Sequence, residues 1–125
     1  MYHRKVLIVD DNCEWRRLIA AVLETEYDVV GFVTRGDEVI SWSVALQPDI
    51  VTLDVSLPGI GGLRILPELR RTMPNAVIVI ITTTVSNIYT EEAYQRGANG
   101  YVDKRKVLSD LVPAIEKAAM GDFGA

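Results

Sequence analysis

The sequence predicts an α/β fold in which five parallel strands form one sheet that helices cover on both faces. Short apolar runs alternate five times with stretches whose apolar residues recur at helical spacing, and this alternation is typical of parallel sheets with right-handed crossovers. The apolar runs are continuous, which indicates strands that are buried on both faces. Polar residues follow most of the runs, so we expect them to gather at the edge where the strands end.

Length and composition fit one ordinary domain. The chain has 125 residues, 49% hydrophobic and 24% charged, and we expect one domain over residues 1–120 with a tail or truncated linker over residues 121–125. The net charge of −4 gives no basic surface, so direct binding of nucleic acid is not expected. The single cysteine, Cys13, and the absence of a signal-peptide pattern or a membrane-length apolar run predict a cytoplasmic protein without membrane contact.

The first two strands and helices follow from apolar runs and the residues that end them. Apolar residues 6–9 predict the first strand, and apolar residues at helical spacing over 15–23 predict the first helix, after an acidic turn. Residues 29–33 predict the second strand. The second helix, over residues 37–46, ends before Pro48 because proline disfavours helix in the residue before it.

The third strand places a carboxylate at its end. Residues 49–54 are mostly apolar up to Asp54, and a loop of proline and glycine follows. A helix over residues 62–73 comes next, with Pro67 at the end of its first turn, where proline costs less than it would deeper in the helix. An alternative role for Asp54 is to cap that helix, since aspartate beside a turn is common.

The fourth and fifth strands complete the sheet. β-Branched residues over 77–81 predict a buried strand that ends in threonines, and a helix over residues 87–96 stops at a glycine suited to a C-terminal cap. Residues 100–102 predict a short fifth strand. The last helix is amphipathic, with apolar residues from 108 to 119 and Ser109 as its expected N-terminal cap.

Polar side chains that suit metal and phosphate chemistry follow four of the strands. They are Asp10 and Asp11 after the first, Asp54 after the third, Thr82 after the fourth and Lys104 after the fifth. Singly, each has another explanation, as a helix cap, a strand residue or a solvated charge. Together, clustered carboxylates repel unless a cation such as Mg²⁺ neutralises them. We therefore predict phosphoryl transfer with Asp54 as the carboxylate nucleophile, and with Lys104 and Thr82 holding the phosphoryl oxygens.

Over essentially its whole length, the chain resembles the receiver domain of two-component response regulators. The order and spacing of four motifs carry the resemblance: Val9-Asp10-Asp11, Leu53-Asp54 with Pro58, Gly59 and Gly62, Thr82, and the stretch from Gly97 to Lys104. It implies a flavodoxin-like (βα)5 fold with strand order 2-1-3-4-5. It also implies that Asp54 accepts a phosphoryl group from a histidine kinase or phosphotransfer protein. Mg²⁺ is then bound by Asp11, Asp54 and the backbone carbonyl of Ser56, with Asp10 acting partly through water.

The resemblance also implies a switch and an output. Thr82 and Tyr101 match the family's switch pair, which alters the face formed by the fourth helix, the fifth strand and the fifth helix, a possible homodimer surface. From Val77 to Ala119, with no proline after Lys104 and with Gly121 closing the last helix, the chain is similar to receivers of the NarL/FixJ type. These receivers precede a DNA-binding domain, so transcriptional control through a domain absent here is expected. The alternative is a stand-alone receiver that acts by protein contact.

Two other enzyme and cofactor classes fit less well. A haloacid-dehalogenase-like phosphatase requires a second aspartate two residues after the first, where this chain has Ser56. A flavodoxin-like cofactor binder shares the architecture, but the loop after the first strand is acidic here and would repel a flavin phosphate.

Further expectations concern single residues. Family members often have proline after the lysine, and they usually place that peptide bond cis. In this chain Arg105 stands in the place of the proline. By analogy we expect a cis Lys104–Arg105 bond, at a cost of about 3 kcal/mol. The basic pair Arg70-Arg71 is expected at the solvated surface, and both tryptophans on helix faces packed against the sheet. Trp15, four residues after Asp11, is expected near the metal.

Overall fold

The computed structural model describes residues 3–84 and 86–121, and its five parallel strands lie in the order β2-β1-β3-β4-β5. This order confirms the predicted flavodoxin-like fold. The strands are β1 (Lys5–Val9), β2 (Asp28–Val33), β3 (Ile50–Asp54), β4 (Val77–Thr82) and β5 (Gly100–Asp103). The helices are α1 (Cys13–Leu23), α2 (Val39–Leu46), α3 (Gly62–Thr72), α4 (Asn87–Gln95) and α5 (Val107–Ala119), and 3-10 turns span Gly36–Glu38 and Lys104–Lys106.

Predicted and observed element ends differ by two residues at most. Of the predicted tail over residues 121–125, only Gly121 lies within the described residues, and the division at residue 120 stays a prediction. No helix in the described ranges is long and apolar enough to cross a membrane.

The core consists of two apolar layers, one on each face of the sheet. Neighbouring residues of a central strand point to opposite layers, as Leu7 and Ile8 of β1 do, because successive side chains of a pleated strand alternate. α2, α3 and α4 cover the layer that contains Leu7, while α1 and α5 cover the layer that contains Ile8. All residues of β3 are buried, which explains why its sequence is apolar on both faces.

The start of α5 differs from the prediction. Asp103 Oδ1 accepts a hydrogen bond from Arg105 N at 3.0 Å and so begins the 3-10 turn that leads directly into α5 at Val107. Ser109 therefore lies within the first turn of the helix, where its Oγ donates to the Lys106 carbonyl at 3.3 Å. The prediction that Ser109 is the N-terminal cap is wrong, because the chain turns into the helix earlier.

The Lys104–Arg105 peptide bond is trans, and no cis bond occurs between residues of the described ranges. The expected cis bond is therefore wrong. The 3-10 turn forms with ordinary trans geometry, which avoids the roughly 3 kcal/mol that a cis bond before a residue other than proline costs.

Pro67 lies inside α3, deeper than the end of the first turn. Because proline has no N–H, the Leu63 carbonyl four residues earlier loses its helical partner. Arg96, which follows α4, supplies a replacement, since its NH1 donates to the Leu63 carbonyl at 2.9 Å. The proline is thus accommodated by a contact that also ties α3 to the end of α4.

Candidate functional site

The C-terminal edge of the sheet brings the predicted side chains together. β1 and β3 pair through Val9 and Leu53, so Asp10, which follows β1, and Asp54, the last residue of β3, lie side by side. β4 ends at Thr82, and Lys104 directly follows β5. Asp10, Asp54, Thr82 and Lys104 are all buried, with exposed fractions between 0% and 7%, whereas Asp11 is exposed. The edge is therefore a nearly dry polar site with one open carboxylate.

Lys104 is the cation of this site. Its Nζ lies 2.9 Å from Asp10 Oδ2 and 3.1 Å from Asp54 Oδ2, and its side chain is only 9% exposed. Burial alone would lower the pKa of Lys104, but its contacts with the two carboxylates outweigh burial and raise the pKa above its ordinary value. Lys104 is thus a fixed ammonium at neutral pH, which excludes the alternative of a solvated surface charge.

Asp10 is held by the turn that follows β1. Its Oδ1 accepts a hydrogen bond from Asn12 N at 2.9 Å, and Arg16 NH1 donates to its backbone carbonyl at 3.3 Å. Asp10 Oδ2 lies 2.9 Å from the Lys104 ammonium, and beyond this ion pair it has no hydrogen-bond partner among the described residues. Burial raises the pKa of Asp10, with its hydrogen bond from Asn12 and its pairing with Lys104 opposing the rise.

Three carboxylates form a group suited to a hard cation. Oxygen atoms of Asp10, Asp11 and Asp54 all lie within 4.8 Å of one another. The Lys104 ammonium pairs with two of these three carboxylates, Asp10 and Asp54, so the group keeps an excess of negative charge. An all-oxygen group of this kind fits Mg²⁺, which prefers oxygen ligands and needs no histidine or cysteine.

The loop after β3 holds Asp54 without making it a helix cap. Asp54 Oδ1 accepts a hydrogen bond from Ser56 N at 3.0 Å, whereas the N-terminal cap of α3 is Gly61, which has no side chain. A Cβ on Gly62 would lie 2.5 Å from the Asp54 carbonyl oxygen, so only glycine allows α3 to begin this close to the strand. The helix-cap alternative for Asp54 is therefore excluded. The Ser56 carbonyl stays a predicted metal ligand.

A second turn supports this loop from the side of β2. Gly36 N donates to the Pro58 carbonyl at 3.1 Å. A Cβ on Gly36 would lie only 1.5 Å from the Ile60 carbonyl oxygen, so the two loops are in backbone contact. The loop that carries Ser56 is thus held by the 3-10 turn after β2 as well as by its own strand.

The predicted switch residues are joined by a third residue. Thr82 Oγ1 accepts a hydrogen bond from Thr84 N at 3.1 Å, and the Tyr101 hydroxyl donates to the Thr84 carbonyl at 2.5 Å. Tyr101 is half-buried, and burial raises the pKa of its hydroxyl. The sequence predicts both members of the pair but not the link through Thr84. Thr84 makes both contacts with backbone atoms, which every residue type has, so its identity gives no signal. The switch role of the pair stays a prediction.

Sequence reasoning also missed the partner of Trp15. Asn12 Oδ1 caps α1 by accepting a hydrogen bond from Trp15 N at 2.9 Å, which agrees with the alternative that this turn supplies a helix cap. The Trp15 ring centroid lies 4.9 Å from Lys104 Nζ. The position of Trp15, one helical turn after Asp11, was the available signal, and it indicated the right end of the sheet but not the contact with Lys104.

Comparisons with known proteins agree with this geometry. A family model described as the response regulator receiver domain matches residues 6–116. The DNA-binding transcriptional activator EvgA of Escherichia coli K12 is 29% identical over 119 residues, which cover 92% of this chain and 57% of EvgA. The chemotaxis protein CheY of Thermotoga maritima is 31% identical over 117 residues, which cover 93% of this chain and 98% of CheY.

A solved structure extends the agreement to three dimensions. The two-component response regulator of the LuxR family from Aurantimonas sp. SI85-9A1 superposes with a TM-score of 0.89 and 30% identity, over 96% of this chain and 87% of that one. The chain spans little more than half the length of EvgA, 57%, but nearly all of CheY, 98%.

Proposed function

The chain belongs to the response regulator receiver domain family, a signalling domain of two-component systems, and we propose that Asp54 is the residue on which it accepts a phosphoryl group. The observation that carries the proposal is the contact of Asp54 with Lys104. The buried carboxylate stands at the end of a central strand with the ammonium 3.1 Å away, so a nucleophile and a countercharge for phosphoryl oxygens are already side by side.

The chain's own residues support an in-line transfer. An Asp54 carboxylate oxygen forms a bond to phosphorus while the bond from phosphorus to the donor breaks, and the leaving group keeps that electron pair and takes up a proton. A phosphohistidine on a histidine kinase or a phosphotransfer protein is the proposed donor. The Lys104 ammonium and the Thr82 hydroxyl lie at the same edge and would hold the phosphoryl oxygens. On this account the domain catalyses only its own phosphorylation and dephosphorylation.

Mg²⁺ is the proposed cofactor. Asp10, Asp11, Asp54 and the backbone carbonyl of Ser56 would hold it, and when bound it would neutralise charge on the phosphoryl oxygens. The three carboxylates support this assignment by their mutual approach, and Asp10 Oδ2 supports it because the Lys104 ammonium is its one partner among the described residues. Exposed Asp11 would leave the site open to solvent on one side.

The proposed output is a change at the face formed by α4, β5 and α5. Phosphorylation would draw the Thr82 hydroxyl toward the new phosphoryl oxygens and thereby disturb its hydrogen bond with Thr84 N. Tyr101 would respond because its hydroxyl is bonded to the carbonyl of the same threonine. A homodimer formed through this face on phosphorylation is part of the proposal.

Transcriptional control is the preferred output. EvgA is a DNA-binding transcriptional activator, and the chain corresponds to 57% of its length, so we propose a DNA-binding domain outside this chain as the effector. Full-length similarity to CheY favours the second candidate, a receiver that acts by protein contact alone. A haloacid-dehalogenase-like phosphatase is not supported, because Ser56 stands where a second aspartate is required. A cytoplasmic location stays a prediction.

Incubation with Mg²⁺ and acetyl phosphate, followed by intact-mass measurement, tests the proposal. Wild type should gain one phosphoryl group and Asp54→Asn none, and chelation of Mg²⁺ should prevent the gain. Asp110→Asn, which changes an exposed carboxylate on α5, is the matched control and should behave as wild type. Equal uptake by wild type and Asp54→Asn would reject Asp54 as the acceptor.

A further inference from the structure

The ammonium of Lys104 has an aromatic neighbour that the phosphoryl chemistry does not need. Its Nζ lies 4.9 Å from the centroid of the Trp15 ring, within the range of a cation–π contact. The same Nζ contacts Asp10 Oδ2 and Asp54 Oδ2 at 2.9 and 3.1 Å. Two carboxylates and one indole therefore surround an ammonium whose side chain is only 9% exposed.

Trp15 is held firmly relative to the site. Its backbone N–H donates to Asn12 Oδ1, and Asn12 N in turn donates to Asp10 Oδ1, both at 2.9 Å. The half-buried indole packs against the apolar layer beneath α1 and α5, which includes Val102. The turn that places Asp10 thus also places the ring, and the two contacts of Lys104 on the α1 side are set by one short segment.

The indole differs from the carboxylates in what phosphorylation does to it. If Asp54 is phosphorylated, the resulting acyl phosphate carries its negative charge on the phosphoryl oxygens, and the Lys104–Asp54 contact must rearrange. The neutral ring does not change and does not compete with a phosphoryl group for positive charge. We propose that Trp15 is a positioning residue for Lys104, which it holds over the acceptor carboxylate before and during transfer. This inference rests on the proposed function of Asp54 and Lys104.

Phosphorylation rates test the proposal. The rate at saturating acetyl phosphate should fall about 5- to 30-fold in Trp15→Leu, the fold-change that corresponds to a cation–π contact of about 1–2 kcal/mol. Trp15→Phe keeps an aromatic face and should recover most of the rate, within about threefold of wild type. Trp42→Leu is the matched control, because Trp42 lies on α2 and is 41% exposed, and it should leave the rate unchanged. Equal losses in Trp15→Leu and Trp15→Phe would show a packing role and reject the proposal.

A double-mutant cycle with Lys104 separates positioning from general damage. If Trp15 acts through Lys104, Trp15→Leu should slow phosphorylation by less than about twofold in a Lys104→Met background. An undiminished effect of Trp15→Leu in that background would overturn the inference. If neither Lys104→Met nor Asp54→Asn lowers phosphorylation, the proposed function itself fails, which is a distinct result.

Fluorescence provides a readout that needs no phosphorylation. In a Trp42→Phe protein, Trp15 is the remaining tryptophan of the chain. Its emission should change on Lys104→Met, which removes the ammonium beside the ring, and should stay the same on Lys106→Met, which alters an exposed lysine of the same 3-10 turn. Identical spectra for Lys104→Met and its parent would contradict the contact. Thermal unfolding of each variant identifies any that does not fold, and Trp15→Phe then carries the test.

Discussion

Replacement of Arg70 by alanine should destabilise the domain by about 2 kcal/mol. Arg70, near the end of α3, donates from Nε and NH2 to the Gly97 carbonyl, and from NH2 to Asn99 Oδ1 at 2.6 Å. Its NH1 donates to the carbonyls that connect α3 with β4, those of Met73, Pro74 and Ala76. One side chain therefore fastens α3 to the start of β4 and to the loop that leads into β5.

The magnitude follows from the acceptors that would lose their donor. The Met73 carbonyl keeps its bond from Ala76 N, and Asn99 Oδ1 keeps its bond from Ile78 N at 2.8 Å. The Pro74 carbonyl belongs to an exposed residue, so water can replace the arginine there. The carbonyls of Gly97 and Ala76 lose a charged donor, and each acceptor left unpaired costs about 1–3 kcal/mol. Two such losses cost about 4 kcal/mol at the middle of that range. Release of the ordered arginine side chain returns about 2 kcal/mol of entropy, so a net loss of about 2 kcal/mol remains.

Urea unfolding followed by circular dichroism measures this change. Arg71→Ala is the matched control, because Arg71 is the exposed neighbour on the same helix, and its effect should stay within about 0.5 kcal/mol. Arg70→Lys should recover little, since an ammonium cannot reproduce the planar fork. A midpoint for Arg70→Ala equal to that of Arg71→Ala, at unchanged slope, would refute the reasoning.

Three further substitutions have defined outcomes. Asp10→Asn should raise the stability of the Mg²⁺-free domain at neutral pH. Burial raises the pKa of Asp10, so the wild-type folded state loses stability as pH rises from the ordinary pKa through the raised one. The stability gained by Asp10→Asn should therefore disappear in acid, where Asp10 is protonated in both the folded and the unfolded state. A gain that does not depend on pH in urea titrations would contradict this. Thr52→Val should add about 1 kcal/mol to the unfolding free energy, because the buried Thr52 hydroxyl has no hydrogen-bond partner among the described residues, and a lower melting temperature would oppose it. Gly36→Ala should slow phosphorylation and lower stability by about 1–3 kcal/mol, because its Cβ would lie 1.5 Å from the Ile60 carbonyl oxygen; a wild-type rate would show that the loop adapts.

Much of the site could be predicted from the sequence because the topology allows few alternatives. When parallel strands alternate with helices, every residue that follows a strand reaches the same edge, so Asp10, Asp54 and Lys104 had to approach one another. Chain order and periodicity are therefore enough to predict that these three residues lie close together. The atoms that make contact could not be predicted in this way, because distances such as those from Lys104 Nζ to the two carboxylates depend on side-chain conformations.

The misplaced residues have physical explanations. Arg70 was expected at the surface because arginine usually lies there, yet a long side chain can bury its stem and reach carbonyls 27 residues away. Ser109 resembles a cap, but Asp103 turns the chain first. In each case the outcome depends on a neighbour distant in sequence or on the preceding turn, which local pattern does not contain.

The central claim is that the phosphoryl group resides on Asp54, and fragmentation mass spectrometry of the phosphorylated protein tests it most directly. After brief incubation with Mg²⁺ and acetyl phosphate, reduction of the acyl phosphate with borohydride marks the modified side chain. We expect the mark at Asp54 alone. A mark at Asp10 or Asp11, or an unmarked Asp54 in protein that has gained a phosphoryl group, would contradict it.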